Sequence, residues 1–162
     1  MLTICAHDIM TESVEVVAVD APLREVASIL AAGRISGAPV VDATGNVVGV
    51  VSGSDIVDAI ARAASLQPGP FDGLYVVHEA EQAAMESALN RPVGEVMSTE
   101  LVAADEEASI SDLIDLILEH HVNRVPILHG RKPVGIVTTE DVLRAMGGLQ
   151  LKGARSRSRT RG

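Results

Sequence analysis

The chain has 162 residues, 47% of them hydrophobic, with one cysteine, Cys5, and aromatic residues limited to Phe71 and Tyr75. That size suits one compact domain or two small ones sharing an aliphatic core; the single cysteine excludes an internal disulfide, and no run approaches the eighteen or so apolar residues of a membrane span. The net charge of −9 is uneven: residues 1–151 hold 22 acidic and 8 basic side chains, whereas the last eleven, KGARSRSRTRG, hold five cations and no acid. An acidic body argues against a broad nucleic-acid surface. The N-terminus shows no basic stretch followed by an apolar one, so no signal peptide is expected, and the lone cysteine is compatible with a cytoplasmic location.

In chain order, residues 14–19 read as a short extended segment. Asp20 and Pro22 then start a helix with apolar positions at Leu23, Val26, Ala27 and Leu30. APVVD, residues 38–42, is a short strand headed by proline, ATGN is a hairpin turn, and VVGVV is the returning strand. A second helix is expected over 54–64. Residues 65–92 read as a linker in which LQPGPFDG is turn-like and EAEQAAMESALN is an alanine-rich helix. The same order then returns: an extended segment at 101–104, a helix opened by Glu107 and Ser109 with apolar Ile110, Leu113, Ile114 and Ile117, the strand VPILH, the turn GRK, the strand PVGIV and a helix over 140–146. The basic residues 150–162 read as a disordered tail, solvated or touching nucleic acid, an anionic membrane or the acidic body.

The two halves are an internal repeat. Met10 aligns with Met97, Ala21 with Ala108, Leu23 with Ile110, Val26 with Leu113 and Pro39 with Pro126 at a constant offset of 87. After a one-residue deletion in the turn, Gly49 meets Gly135, Val51 meets Val137 and Asp55 meets Asp141 at an offset of 86. The fold expected is α/β: two β-α-β-β-α repeats, residues 1–64 and 93–149, packed about a pseudo-twofold axis. Neither copy is large enough to be comfortably stable alone.

The chemistry-bearing motif is SGSD, Ser52 to Asp55, with its counterpart TTED, Thr138 to Asp141. Each sits where a strand hands over to a helix, and two readings stand side by side. Ser52 or Thr138 can act as an N-cap with an acid three residues on. Alternatively, an ionised Asp can accept both hydroxyls of a ribose, while small residues let a phosphate approach the free N–H groups of the helix start.

Other chemistry is not expected. No nucleophile with a recognisable base, no G-x-S-x-G and no long phosphate loop occurs, so the chain reads as no enzyme. His120 and His121 are neighbours that point about 100° apart on a helix, and one cysteine without a Cys-x-x-Cys pair gives no metal signature.

The doubled unit, DIMT…APVVD…GVVSGSDIV and EVMS…VPIL…GIVTTEDVL, closely resembles a tandem pair of CBS domains over about residues 7–64 and 93–147. The resemblance implies a regulatory module that binds AMP, ADP, ATP or S-adenosylmethionine in clefts between the repeats. By resemblance, Gly49, Ser52, Ser54 and Asp55 fit the whole G-h-h-[ST]-x-[ST]-D signature; Gly135, Thr138 and Asp141 fit it in part, with Glu140 replacing the second hydroxyl. The same resemblance assigns the base to Ile35, Ser36 and Ala38 opposite Asp141, and to Val122, Asn123 and Arg124 opposite Asp55. Thr11 and Ser98 match a further contact position. A homodimer and a separate effector protein are the implied partners, with no membrane role. A structural docking module with empty clefts and a weak nucleotide hydrolase are the alternatives.

Overall fold

The computed structural model describes residues 3–65 and 74–157, with side chains for 3–64 and 79–148. The expected turn-like stretch LQPGPFDG and the last five residues of the tail lie outside the described residues. The chain divides into two units whose contents cut across the sequence repeat: one is Glu15–Leu101, the other joins Met1–Val14 to Val102–Gly162.

In the Glu15–Leu101 unit, β1 (Val17–Ala18) runs parallel to β2 (Gly37–Val41), which pairs antiparallel with β3 (Val47–Ser52). The expected strand at 14–19 shortens to two paired residues, because the flanking backbone is taken up by other contacts: Val19 accepts from Gly94, and Ala21 accepts from Val93. The helix α2 (Leu23–Gly33) buries Leu23, Val26 and Leu30, three of the four apolar positions that set its period. α3 (Gly53–Ser65) buries Ile56 and Ala59, and these pack with Val17, Val40, Val51 and Val93 in one aliphatic core. The alanine-rich segment is helical: α4 (Leu74–Leu89) packs on α3 and α2 through buried Ala84 and Ala88, small residues that permit close approach of helices. A single 3-10 turn, Val93–Glu95, follows it.

The second unit repeats this plan. β4 (Ala104–Asp105) is parallel to β5 (Arg124–His129), and β5 is antiparallel to β6 (Lys132–Thr138). Its hairpin closes with only Gly130 and Arg131 between the paired His129 and Lys132, and Gly130 takes the left-handed φ of 63° that such a tight turn demands. Leu113 of α5 (Ile110–His120) is fully buried with Val125, Ile127 and Val137. A short helix that sequence periodicity does not reveal, α1 (Ala6–Ile9), closes this core with Ala6. The last helix, α6 (Thr139–Arg157), runs well past the expected 140–146 and into the segment expected to be disordered. Leu149, Leu151, Lys152, Ala154, Arg155 and Arg157 are good helix formers, and cations suit a helix C-terminus, so the helix continues through Gly153.

The segment leading into each copy docks on the sheet of the other copy's unit. Ser98 and Val50 exchange both backbone hydrogen bonds, at 2.9 and 3.0 Å, and Thr11 and Ile136 do the same at 2.9 and 3.0 Å. Under these crossings sit the repeat's paired glycines. A Cβ on Gly49 would lie 2.6 Å from the Ser98 carbonyl oxygen and 2.7 Å from Met97 Sδ; one on Gly135 would overlap Met10 Sδ and come within 2.8 Å of its Cγ.

The two obstacles differ, since one is fixed backbone and the other a flexible side chain. Gly49→Ala is therefore expected to destabilise by about 1–3 kcal/mol, with no rescue from Met97→Ala, whereas Gly135→Ala is expected to be relieved in part by Met10→Ala. Urea denaturation of the two single and two double variants checks this. A second expectation concerns α5. Ser109 accepts from the Asp112 amide, and Asp112 Oδ2 accepts from the Ser109 hydroxyl at 2.7 Å and its amide at 2.9 Å. These bonds hold the Asp112 carboxyl below its ordinary value. A lowered folded pKa contributes stability above the unfolded value of 3.8 and loses it as pH falls through the folded value. Ser109→Ala should thus lower Tm by a few degrees at neutral pH, with the deficit shrinking below about pH 4 in a melting series.

Candidate functional site

Each unit holds one polar corner where its returning strand meets the following helix. In the Glu15–Leu101 unit, Ser52 ends β3 and Asp55 lies in the first turn of α3. Asp55 Oδ2 accepts from the Ser52 amide at 2.8 Å and from its hydroxyl at 2.9 Å, and the Ser52 Oγ accepts from the Asp55 amide at 3.2 Å. This reciprocal cap satisfies donors that a helix start leaves unpaired. It uses only one carboxylate oxygen: Oδ1 of Asp55 has no hydrogen-bond partner among the described residues. The capping reading of SGSD is thus present in the fold, and it leaves half of the acid available for a further donor.

The start of β2 joins this corner. α2 ends at Arg34 in the left-handed conformation, φ 50°, and the Ile35 amide donates back to Leu30. The Ser36 carbonyl then accepts from the Gly53 amide at 2.9 Å, tying the strand start to the helix start. Ser36, Ser54 and Ser98 are exposed and Ile35 is half-buried. Ala38 is 2% exposed and packs in the core. Ser98 flanks β3 through its bridge to Val50.

The other unit builds the same corner from its own residues. Asp141 Oδ2 accepts from the Thr138 amide and hydroxyl, both at 2.8 Å, and the Thr138 hydroxyl accepts from the Asp141 amide at 3.3 Å. His121 ends α5 with φ 53°, Val122 donates to Ile117, and the Asn123 carbonyl accepts from the Thr139 amide at 3.0 Å. Arg124 is paired with Thr138 across the β5–β6 ladder, and burial pushes its guanidinium below its ordinary value. Thr11 lies beside β6 through Ile136. The thirteen expected site residues therefore fall into two groups: Ile35, Ser36, Ala38, Ser52, Ser54, Asp55 and Ser98 in one unit, and Thr11, Val122, Asn123, Arg124, Thr138 and Asp141 in the other.

The corners differ in one respect that the motif does not reveal. Arg144 reaches Asp141 Oδ1 at 3.3 Å and Glu140 Oε1 at 2.9 Å. The exposed charge of Glu140 is therefore compensated, and the second oxygen of Asp141 is already engaged. The signal was in the sequence as i,i+3 and i,i+4 spacings on the helix. A second feature needed the fold: a cleft of about 570 Å³ lies along α3, α4 and the 3-10 turn, with Asp55, Asp58, Arg62, Ser87, Arg91 and Glu95 in its wall. Arg62 pairs with Asp58 at 2.8 Å and Arg91 with Glu95 at 2.9 Å, so its charges are largely matched. That volume lies in the range of small-molecule sites.

Because Ser52 and Thr138 hold the acids in place, Ser52→Ala and Thr138→Ala are each expected to cost about 1 kcal/mol of stability, while Ser52→Thr and Thr138→Ser stay near the parent. Chemical denaturation distinguishes the pairs, and equal losses for the two kinds of substitution would remove the capping role.

Comparisons with known proteins agree with this architecture. The CBS domain family model matches residues 6–62 and 93–148. The uncharacterized protein MJ1426 of Methanocaldococcus jannaschii is 30% identical over 152 residues, covering 86% of this chain and 89% of that protein. Two crystal structures share the fold: the CBS domain pair of protein MJ0100 in complex with 5′-methylthioadenosine and S-adenosyl-L-methionine, at 23% identity and TM-score 0.70, and CBSX2 in complex with AMP, at 24% identity and TM-score 0.67; each likeness covers 91% of this chain and 98% of the other.

Proposed function

This chain belongs to the CBS domain family and carries two copies of the domain; on that basis we propose that it is a regulatory module that binds an adenosyl ligand, AMP, ADP, ATP or S-adenosylmethionine, and signals its occupancy to a partner protein. The observation that carries the reading is the Asp55 carboxylate, held by Ser52 through Oδ2, with no partner on Oδ1 among the described residues. A ribose offers two adjacent hydroxyl donors, and a preset carboxylate accepts them with little ordering cost. The neighbouring start of α3 adds its positive dipole end and the exposed Ser54 as the phosphate side of the proposed site. In this proposal the base contacts come from the strand starts, Ile35, Ser36 and Ala38 for one ligand and Val122, Asn123 and Arg124 for the other, with Thr11 and Ser98 alongside. The adenosyl ligands of MJ0100 and CBSX2 support the ligand class.

The role proposed is binding without turnover, since an acid on a ribose diol leaves the molecule unchanged. A ligand shifts the protein between arrangements only by its differential affinity for them, and a coupling of about 1–3 kcal/mol is typical. Association into a homodimer is part of the proposal. Val57 on α3 of one unit, and Leu118 on α5 and Leu143 on α6 of the other, are each 66% exposed, apolar helix surface that suits helix–helix contact. No helix among the described residues is long and apolar enough to cross a membrane, and the proposed setting is the cytoplasm.

Calorimetry against AMP, ADP, ATP and S-adenosylmethionine tests the reading. Asp55→Ala is expected to weaken binding tenfold to a hundredfold, the worth of a charge-assisted hydrogen bond of about 1.5–3 kcal/mol. Asp141→Ala is expected to cost less, because Arg144 already occupies its second oxygen. Unchanged affinity in a folded Asp55→Ala protein would sink the assignment, and binding of none of the four ligands would leave a docking module.

A further inference from the structure

Outside the two corners, the turn that opens α1 gathers three metal-ligating side chains of different kinds. Ligand atoms of Cys5, His7 and Asp8 all lie within 4.8 Å of one another. A sequence search for paired cysteines or for histidines four apart does not find them, because all three fall within four consecutive residues, C-A-H-D.

Backbone groups orient two of the three. The His7 Nδ1 lies 3.1 Å from the backbone carbonyl of Glu106. A carbonyl only accepts, so Nδ1 carries a proton, and a metal at Nε2 would displace the proton that otherwise pairs that nitrogen with Asp8. That Nε2 faces Asp8 Oδ1 at 3.3 Å. The other oxygen, Asp8 Oδ2, is fixed by the Cys5 amide at 2.9 Å. An imidazole nitrogen and a carboxylate oxygen thus face each other across a gap that a cation would bridge. Glu107 Oε1 stands 4.0 Å from Nδ1, the nitrogen turned to the Glu106 carbonyl, and is no donor on the Nε2 side. The carboxylate of Glu106 is engaged by His129 and takes no part.

We propose that Cys5 Sγ, His7 Nε2 and Asp8 Oδ1 bind a zinc-class divalent cation, with water completing the shell. The donor set of thiolate, imidazole and carboxylate suits Zn²⁺, whereas Mg²⁺ and Ca²⁺ take oxygen ligands alone. Tetrahedral bonds of about 2.0–2.3 Å place ligand atoms roughly 3.5 Å apart, so the side chains close by about an ångström through rotation of exposed groups. The site exists only while the arm is docked, because the Glu106 carbonyl that sets the imidazole also accepts the His7 amide at 3.1 Å, and the Ala108 carbonyl accepts the Ala6 amide at 2.8 Å. Bound metal therefore strengthens the docking that also seats Met10 over Gly135.

The test uses the full chain, free of affinity tags and stripped with a chelator, titrated with Zn²⁺ by calorimetry and with Co²⁺ by absorption. One metal per chain, a thiolate-to-cobalt charge-transfer band in the near ultraviolet and a Zn²⁺-dependent rise in Tm are expected. Cys5→Ser should abolish the band and weaken Zn²⁺ at least tenfold, His7→Ala should weaken it similarly, and the double variant His120→Ala/His121→Ala should leave both unchanged. Absence of stoichiometric binding at micromolar Zn²⁺, or binding that survives Cys5→Ser and His7→Ala, overturns the site. So does binding that depends on His120 and His121. Circular dichroism of each variant confirms that any loss occurs in a folded chain.

Discussion

The crossing of Met97–Ser98 over Gly49 and of Met10–Thr11 over Gly135 is the contact on which the rest depends. A strand with a side chain at those glycines would accept the second segment only after a shift, since the added carbon would meet a carbonyl oxygen in one case and a methionine sulfur in the other. With the glycine in place, each segment closes two backbone hydrogen bonds on the strand edge, Ser98 with Val50 and Thr11 with Ile136. An exposed strand edge is a row of unpaired donors and acceptors, and here the chain covers part of it with itself. The same crossing sets Ser98 and Thr11 beside the strands that end in Ser52 and Thr138. The glycine that opens the signature G-h-h-[ST]-x-[ST]-D thus has a packing reason that requires no ligand.

The acid that closes the signature has two tasks divided between two oxygens. Oδ2 caps the helix and Oδ1 is left over, open in Asp55 and engaged by Arg144 in Asp141. Capping orders the carboxylate before any ligand arrives, which lowers the cost of binding through it. In the proposed role an alanine at either position would lose stability and recognition together, so the two must be measured separately. The pairing of Glu140 with Arg144 changes how the second corner reads electrostatically. A glutamate in place of a hydroxyl suggests repulsion of phosphate, yet its partner on the next turn offsets that charge and reaches the aspartate as well.

The cores are built almost entirely from Val, Ile, Leu and Ala, and among the described residues none of the buried ones is polar or charged. Short β-branched strands and narrow helices fill such cores without aromatics. The consequence for function is positional. Polar groups that serve chemistry are confined to the ends of elements, where unpaired backbone donors and acceptors gather. Both SGSD-type corners and the Cys5–Asp8 turn occur at such ends.

The repeat, the order of elements within it, the aliphatic core positions and the Ser–Asp and Thr–Asp corners were legible in the sequence, because hydrophobic period, turn residues and a constant offset are local or one-dimensional properties. Leu23, Val26, Leu30 and Leu113 are buried as their period demands. Which sheet receives each leading segment was not legible. An offset of 87 is the same whether Met10 docks on its own copy or Met97 and Met10 exchange places, so alignment cannot tell the two apart; the fold shows the exchange, Thr11 bonding Ile136 and Ser98 bonding Val50. Tertiary structure also decided the two-residue length of β1 and β4, whose flanks bond elsewhere. It placed the His7 Nδ1 against a carbonyl 99 residues away. The open cleft at Asp55 likewise depends on α4, whose alanines say that it packs closely and nothing about what it packs against.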